Sequence, residues 1–549
     1  MTRLRYDHIL AGTALALILA AIPAGSLAQN ADKTAPLPAA ASPAEQQATE
    51  APSANPTLAE PTVAVDPIAS LDPADRPVAE KIRDFFTATS DRIFSNKKER
   101  AAAEAFYLSR NYAPLWLDKR IENARASSAI ARLKNADADG LEVSDYKIPT
   151  FAGLAPEALA EADLKLTQTV LTYARHVQAG RFPYTRVSRN IELPQAAPEP
   201  ADILNAVAAT QDAGKVLDTF SPQHEEYRKL KAMLAELRGV AGAKKGDTSR
   251  QIETILVNME RWRWYPRDLG SAHVIVNQPD FTLRVMHDGA QMWTTRIVIG
   301  KPSMPTPLLS ETMKFITINP TWHVPPSIVH NEYLPALAQD PTVLSRMGLR
   351  VSYSGGGVSI SQPPGPGNAL GRIRFNFPNR FLVYQHDTPD KYYFAHEVRA
   401  YSHGCMRVQD PAKYAEVLLN IVHPEEHWTA ARITRMFGSA EQNLQLQPTP
   451  VWVHLTYQTA FVDSAGKLQM RRDIYNLDSR TLAAMKSGRG GFESAPERRR
   501  EHELVASNQR RSAPPAPVAP AARSGSFFQS MFSPAPAYGR PAVPPAIYR

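Results

Sequence analysis

Among 549 residues there is a single cysteine, Cys405. A lone thiol excludes an internal disulfide and a multi-thiolate metal site, which leaves a buried spectator or a nucleophile. Beyond its N-terminal segment the chain also lacks any apolar run near the roughly 18 residues that a membrane span needs. Three histidines outside the cysteine segment do not point to a metal site. His287, His323 and His330 each lie in a turn or beside proline-rich loop sequence without a Cys, Asp or Glu partner at such spacing, so packing or surface roles are expected. Neither a metal nor an organic cofactor is expected. A basic folded surface is not indicated either: from Ser487 onward nine arginines face four glutamates, so five of the net +8 charges sit in the tail. No nucleic-acid partner is expected. A tail of this kind suits anionic envelope polymers or membrane lipid, or is simply solvated.

What is present begins with an export signal. Arg3 and Arg5 precede an apolar run over 9–22, and Ser26-Leu27-Ala28 supplies small residues before Gln29, so residues 1–28 read as a secretory signal peptide, with an uncleaved anchor as the alternative. The mature protein is expected to be exported and to have no transmembrane span. Many of the 47 prolines fall in residues 29–74 and 485–549. Both segments bury too little apolar surface to offset chain entropy and are expected to be disordered.

Between them the chain reads as α+β. Residues 75–240 have helical spacing: Ile82, Phe85 and Phe86 share one face, as do Val170, Tyr173, Ala174 and Val177 before the stop at Gly180. Ser221-Pro222 opens a further helix that Gly239 closes. This all-helical scaffold domain shows no cluster of catalytic residue types. Residues 239–249, rich in Gly and Lys, read as a linker. One more helix over 252–262 leads to β-branched runs at 273–277, 281–285 and 294–299, with His287-Asp288-Gly289 turning the second into the third. Residues 315–318 and 380–384 are further strand candidates, and Asp410-Pro411 predicts a helix start with Asp410 as its cap. Trp262 and Trp264 are expected in the core or at a domain interface.

Cys405 lies in Ala400-Tyr401-Ser402-His403-Gly404-Cys405-Met406-Arg407-Val408, between the strand-rich region and that helix start, where exposed backbone N–H groups gather. A free thiol titrates near about 8.5, so at neutral pH it needs a proton acceptor or a nearby positive charge to react. His386 and His403 are the local candidates, and spacing alone does not separate them. N–H groups around His403, Gly404 and Cys405 are expected to hold an oxyanion, with Gly404 letting the backbone approach a substrate closely. Arg407 has two readings, a bidentate clamp on a substrate carboxylate or a tie between the loop and the core.

Val383-Tyr384-Gln385-His386-Asp387-Thr388-Pro389, with fifteen residues between His386 and Ser402, and then Ser-His-Gly-Cys-Met-Arg-Val, resembles the signature of the L,D-transpeptidases, cysteine enzymes that cross-link bacterial peptidoglycan. Asn258-Met259-Glu260-Arg261-Trp262-Arg263-Trp264, Pro305-Thr306-Pro307, Asn319-Pro320-Thr321-Trp322-His323-Val324-Pro325 and Pro364-Gly365-Pro366-Gly367-Asn368-Ala369-Leu370-Gly371 resemble the family's long periplasmic branch. Phe106-Tyr107, Pro114-Leu115-Trp116-Leu117 and Asp139-Gly140-Leu141 resemble that branch's helical scaffold, so the resemblance spans about 102–484. It implies a mostly β catalytic domain over 250–484, with an insertion at about 322–362 that acts as a mobile lid or is a passive surface loop. It implies His386 as the base, oriented through its other ring nitrogen by a backbone carbonyl, and His403 as a wall of the pocket. Ser402, Arg407 and Tyr384 would contact substrate. The reaction implied is periplasmic: Cys405 takes a tetrapeptide stem as a thioester, releasing D-Ala, and passes it to the diaminopimelate amine of a second stem. Peptidoglycan stem peptides are the implied partners, with other cell-wall enzymes on the scaffold. Two departures stand out. No small peptidoglycan-binding module separates scaffold from catalytic domain, and Asp387 stands where many members have Gly or Ser.

Two alternatives share the fold: a carboxypeptidase or endopeptidase in which water resolves the thioester, and an inactive wall-binding scaffold. The intact Cys405 with two histidines opposes the latter, since a binding module has no need of a reactive thiol in an oxidising compartment. The disorder expected at both ends is open to a direct check. Limited proteolysis of the mature protein should trim residues before about Asp72 and after about Ser487 and leave a resistant core, whereas a protected tail would mean that it docks on the fold.

Overall fold

A computed structural model of the chain describes residues 66–487 apart from 89–91, 95, 241–244 and 355–356. The expected signal peptide, most of the proline-rich linker and nearly all of the basic tail lie outside the described residues. No described helix is long and apolar enough to cross a membrane.

Two large apolar cores organise the described chain, and the first is helical. Asn96 caps the helix Lys97–Ser109 by accepting from the Lys98 and Glu99 amides. Pro156 opens Pro156–Ala179, which buries Leu159, Leu166, Val170, Tyr173 and Val177. With Arg76–Thr87, Ala124–Lys134, Pro200–Ala208 and Ala213–Asp218 they enclose Phe86, Tyr107, Trp116, Leu133 and Leu204. Two expectations are corrected here. The ordered chain begins before 75, because Pro67–Ser70 forms a 3-10 turn that buries Ile68, and the domain is not all-helical, because Leu117–Asp118 pairs with Ile121–Glu122 as a hairpin.

The second core belongs to a curled sheet. Its strands are β1 (Ile191–Glu192), β2 (Ala272–Asn277), β3 (Thr282–His287), β4 (Ala290–Gly300), β5 (Leu308–Met313), β6 (Phe315–Ile318), β7 (Ile373–Asn376), β8 (Gln385–His386), β9 (Ala400–Ser402), β10 (Met406–Val408), β11 (Gln442–Gln445) and β12 (Val451–Thr456). They run in the order β11-β6-β7-β8-β10-β4-β3-β2-β12-β5-β1, with β9 beside β4. Asp288 and Gly289 take φ of 49° and 78° in the β3–β4 turn, the left-handed pair that a two-residue hairpin favours. The helix Pro411–Val422 buries Tyr414, Leu418 and Leu419, but Asp410 makes no side-chain capping bond to it. The strand expected at 380–384 does not form. Asn379 Oδ1 accepts from the Phe381 and Val383 amides and Leu382 takes φ 57°, so the chain turns there and only Gln385–His386 joins the sheet.

Packing crosses the expected divide at 240–250 between scaffold and catalytic domain. β1, from the expected scaffold segment, pairs in parallel with β5 at the sheet edge, and Phe182, Leu193, Tyr227, Leu230 and Leu234 pack into the sheet's core rather than the helical one. The helix expected from Ser221-Pro222 starts at Glu225, and the one expected from 252 starts at Lys245. The insertion at 322–362 is a compact unit: strands at 322–323, 350–354 and 357–362 form a three-stranded sheet, and Val324, Val329, Tyr333, Leu344, Leu349 and Ile360 form a small core of their own.

Glu260 and Arg263 seal the joint between the two large cores. Both side chains are fully buried and 2.6 Å apart. Glu260 also accepts from the Arg181 amide at 2.8 Å, while Arg263 donates to the Asp139 carbonyl and to the Tyr227 hydroxyl. Gly180, at φ 92°, ends the long helix where a Cβ would lie 2.4 Å from Glu260 Oε1. Trp262 and Trp264 are buried, as their expected core role requires. Removing one partner strands the other charge in the interior, so Glu260→Ala should lower the unfolding free energy by about 3–5 kcal/mol, and Glu260→Gln by less. Urea denaturation reads the difference; an unchanged midpoint would show that the pair does not hold the joint.

Candidate active site

β8 and β10 lie parallel, with Gln385 opposite Met406 and His386 opposite Arg407. One step earlier the Met406 amide donates to the Tyr384 carbonyl at 3.0 Å, which sets Tyr384 beside Cys405. Alternate residues of a strand share a face, so His386 stands on the side of Tyr384, their rings 5.7 Å apart. The imidazole is 5% exposed, and Nδ1 is 2.5 Å from the Asp387 carbonyl. A carbonyl only accepts, so Nδ1 carries the proton and Nε2 keeps the lone pair.

Burial fixes the resting charges of the pair. It pushes His386 down to about 3, with the Arg407 guanidinium adding to the effect. It pushes the Cys405 thiol up to about 11, although the Tyr384 N–H and hydroxyl pull the other way. Cys405 is only half-buried as a residue, yet protein crowds its sulfur on enough sides for desolvation to dominate. At neutral pH the site therefore holds a neutral thiol and a neutral imidazole.

The nucleophile loop is held from within. Ser402 Oγ donates to the Cys405 carbonyl at 2.5 Å and accepts from the Gly404 amide at 3.2 Å. Ser402 is 4% exposed, so the hydroxyl expected to contact substrate closes the loop instead. The Gly404 amide leaves the expected set of oxyanion donors for the same reason, whereas the Cys405 amide meets no acceptor among the described residues. Gly404 takes φ 113°, which a side chain would strain. Thr306 Oγ1 accepts from the Gly300 amide at 2.9 Å and donates to the Gly404 carbonyl at 2.8 Å, and the Tyr475 hydroxyl donates to the Gly300 carbonyl at 2.6 Å. Thr306 had a signal in Pro305-Thr306-Pro307; Tyr475 had none.

Arg407 Nη1 donates to Asp390 at 3.0 Å, and its guanidinium lies over the Tyr393 ring, a geometry that favours the tie over the clamp. Asp387 explains its own presence. Its carboxylate accepts from the Arg372 amide and from Lys391, at 2.8 and 2.7 Å, and fills the space where a Cβ on Gly371 would sit. His403 Nε2 faces Glu332 Oε1 at 2.9 Å and Lys301 Nζ at 3.4 Å. Glu332, from the insertion, carried no signal in the sequence because nothing near it in the chain bears chemistry.

Residues 271–453 match the family model of the L,D-transpeptidase catalytic domain, and residues 101–234 match that of a scaffold domain. The catalytic domain of this chain belongs to the L,D-transpeptidase family, and a scaffold domain precedes it. A Haemophilus influenzae protein named "Putative L,D-transpeptidase" is 25% identical over 390 residues, which cover 68% of this chain and 77% of that protein. Among solved structures, an L,D-transpeptidase from Mycobacterium smegmatis is 16% identical with a TM-score of 0.18, over 34% of this chain and 59% of that one. L,D-transpeptidase 3 from Mycobacterium tuberculosis, solved with a faropenem-derived adduct, is 13% identical with a TM-score of 0.18, over 34% of this chain and 60% of that one. At such scores the superpositions carry no argument about this chain.

The neutral pair sets a pH signature. A thiol raised to about 11 is protonated below that pH, so alkylation of Cys405 by iodoacetamide should rise with pH from neutrality towards 11 without levelling off at the ordinary thiol value. A plateau already reached near neutrality would mean a preformed thiolate and imidazolium.

Proposed function

We propose that the protein is a peptidoglycan L,D-transpeptidase working in the periplasm on stem peptides. The reading is carried by one observation: a buried imidazole whose proton is held on Nδ1 by the Asp387 carbonyl, leaving the lone pair on Nε2, on the strand that pairs with the segment of the sole thiol. As Cys405 Sγ attacks the carbonyl carbon of the diaminopimelate–D-Ala bond, His386 takes its proton. The oxyanion forms against the Cys405 amide. The carbon–nitrogen bond breaks, D-Ala leaves with the proton from His386, and a thioester remains. The side-chain amine of a second stem attacks that thioester and loses a proton to His386, the carbon–sulfur bond breaks, and His386 passes that proton to the sulfur. The thioester conserves the energy of the broken amide, so the transfer needs no nucleotide. The leader-like N terminus supports export, and the scaffold domain is a natural seat for other wall enzymes.

Muropeptide mass spectrometry tests the reading. The purified protein should join diaminopimelate to diaminopimelate, and Cys405→Ala, which removes little volume, should abolish this without unfolding the chain. His386→Ala should slow acylation more than His403→Ala; equal or reversed losses would reassign the base. Release of D-Ala with hydrolysis only would make the protein a carboxypeptidase, and no reaction would leave the scaffold role. A carbapenem, whose strained amide suits the same thiol, should add once per chain on the peptide containing Cys405 and not at all to Cys405→Ala.

A further inference from the structure

The insertion touches the surroundings of the nucleophile at two points. Trp322 lies within hydrogen-bonding reach of the Tyr384 hydroxyl, and Glu332 Oε1 lies 2.9 Å from His403 Nε2. Tyr384 flanks Cys405 across the strand pair and His403 flanks it along the chain, so one unit reaches both sides of the thiol. Glu332 sits in a π-helical turn, Val329–Tyr333, an irregularity that recurs where a helix serves a site. Its side chain is 12% exposed. Oε2 is screened from solvent and meets no donor among the described residues. Lys301 Nζ lies 3.4 Å from the same His403 nitrogen. A carboxylate oxygen withdrawn from water without a donor is unfavourable, and a cationic donor arriving with a substrate would relieve it.

We propose that Glu332 recognises the ammonium of the acyl acceptor and so selects an amine over water as the group that resolves the thioester. The proposal rests on the transpeptidase reading above. An aliphatic amine titrates near about 10.4 and arrives protonated at neutral pH. Oε2 accepts one of its N–H bonds while Oε1 keeps His403, a charge-assisted contact that holds the nitrogen beside the thioester. The ammonium loses one proton to solvent on becoming nucleophilic. On attack the carbon–nitrogen bond forms, the carbon–sulfur bond breaks, and His386 passes the second proton to the departing thiolate.

The test follows the partition of the thioester in the full-length protein. Wild type and Glu332→Gln are charged with a tetrapeptide stem and offered a stem peptide bearing a free side-chain amine, and mass spectrometry reads cross-link against hydrolysis. Gln keeps the size of the side chain and an oxygen for His403 but drops the charge. The acceptor KM should rise about tenfold and the cross-link to hydrolysis ratio should fall with it, while D-Ala release in the first half-reaction changes by less than about twofold. Hydroxylamine, uncharged at neutral pH, should intercept both thioesters equally. Equal losses in thioester formation and transfer would make Glu332 a positioning residue for His403, and an unchanged partition would remove it from recognition; either overturns the proposal. A wild type that forms no thioester, or one that no amine intercepts, overturns the transpeptidase reading and this proposal with it, a failure visible without the variant.

Discussion

The parallel pairing of β8 with β10 is the constraint on which the site depends. Only two residues of β8 take part, Gln385 and His386, yet their register against Met406 and Arg407 puts the imidazole on the strand next to the thiol's own. A parallel pair cannot be closed by a tight turn and needs a crossover of a dozen or more residues. Here the crossover runs over residues 387–405 and contains the 3-10 turn Lys391–Ala395, tied back by Lys391 to Asp387 and by Arg407 to Asp390. The fifteen-residue interval in the sequence signature is most of that connection.

A second constraint is the dryness of that pair. Burial works against the charged form of both groups, lowering the imidazole and raising the thiol. At neutral pH the site therefore holds no standing thiolate. The same dryness protects the sulfur, since oxidation follows thiolate character.

The candidate site was legible in the sequence because one cysteine left nothing to choose between and because His386 lies in a short signature near it. The β3–β4 turn was legible for a similarly local reason, Asp288-Gly289 accepting left-handed backbone. What stayed hidden depends on distant partners. β1 is two residues long and has no periodicity to read; it exists because β5 offers it an edge. Residues 380–384 have strand composition, yet the Asn379 side chain takes the amides that a ladder would use. Ser402 looked like a substrate ligand because it neighbours the nucleophile, but the tight loop needed its hydroxyl. Glu332 is separated from His403 by seventy-one positions, and only the fold of the insertion brings them together.

The edge strand β1 also decides where this molecule can be cut. A fragment beginning at residue 250 would keep Cys405, His386 and the insertion, but it would lose the strand covering β5 and the side chains of Phe182, Leu193, Tyr227, Leu230 and Leu234 that fill the sheet's core. An unpaired edge beside a stripped apolar face invites association with other copies. The inheritable catalytic unit is therefore longer than the fragment that carries the chemistry, and a recombination that exchanged scaffolds would have to break the chain upstream of Phe182, at the helix end marked by Gly180.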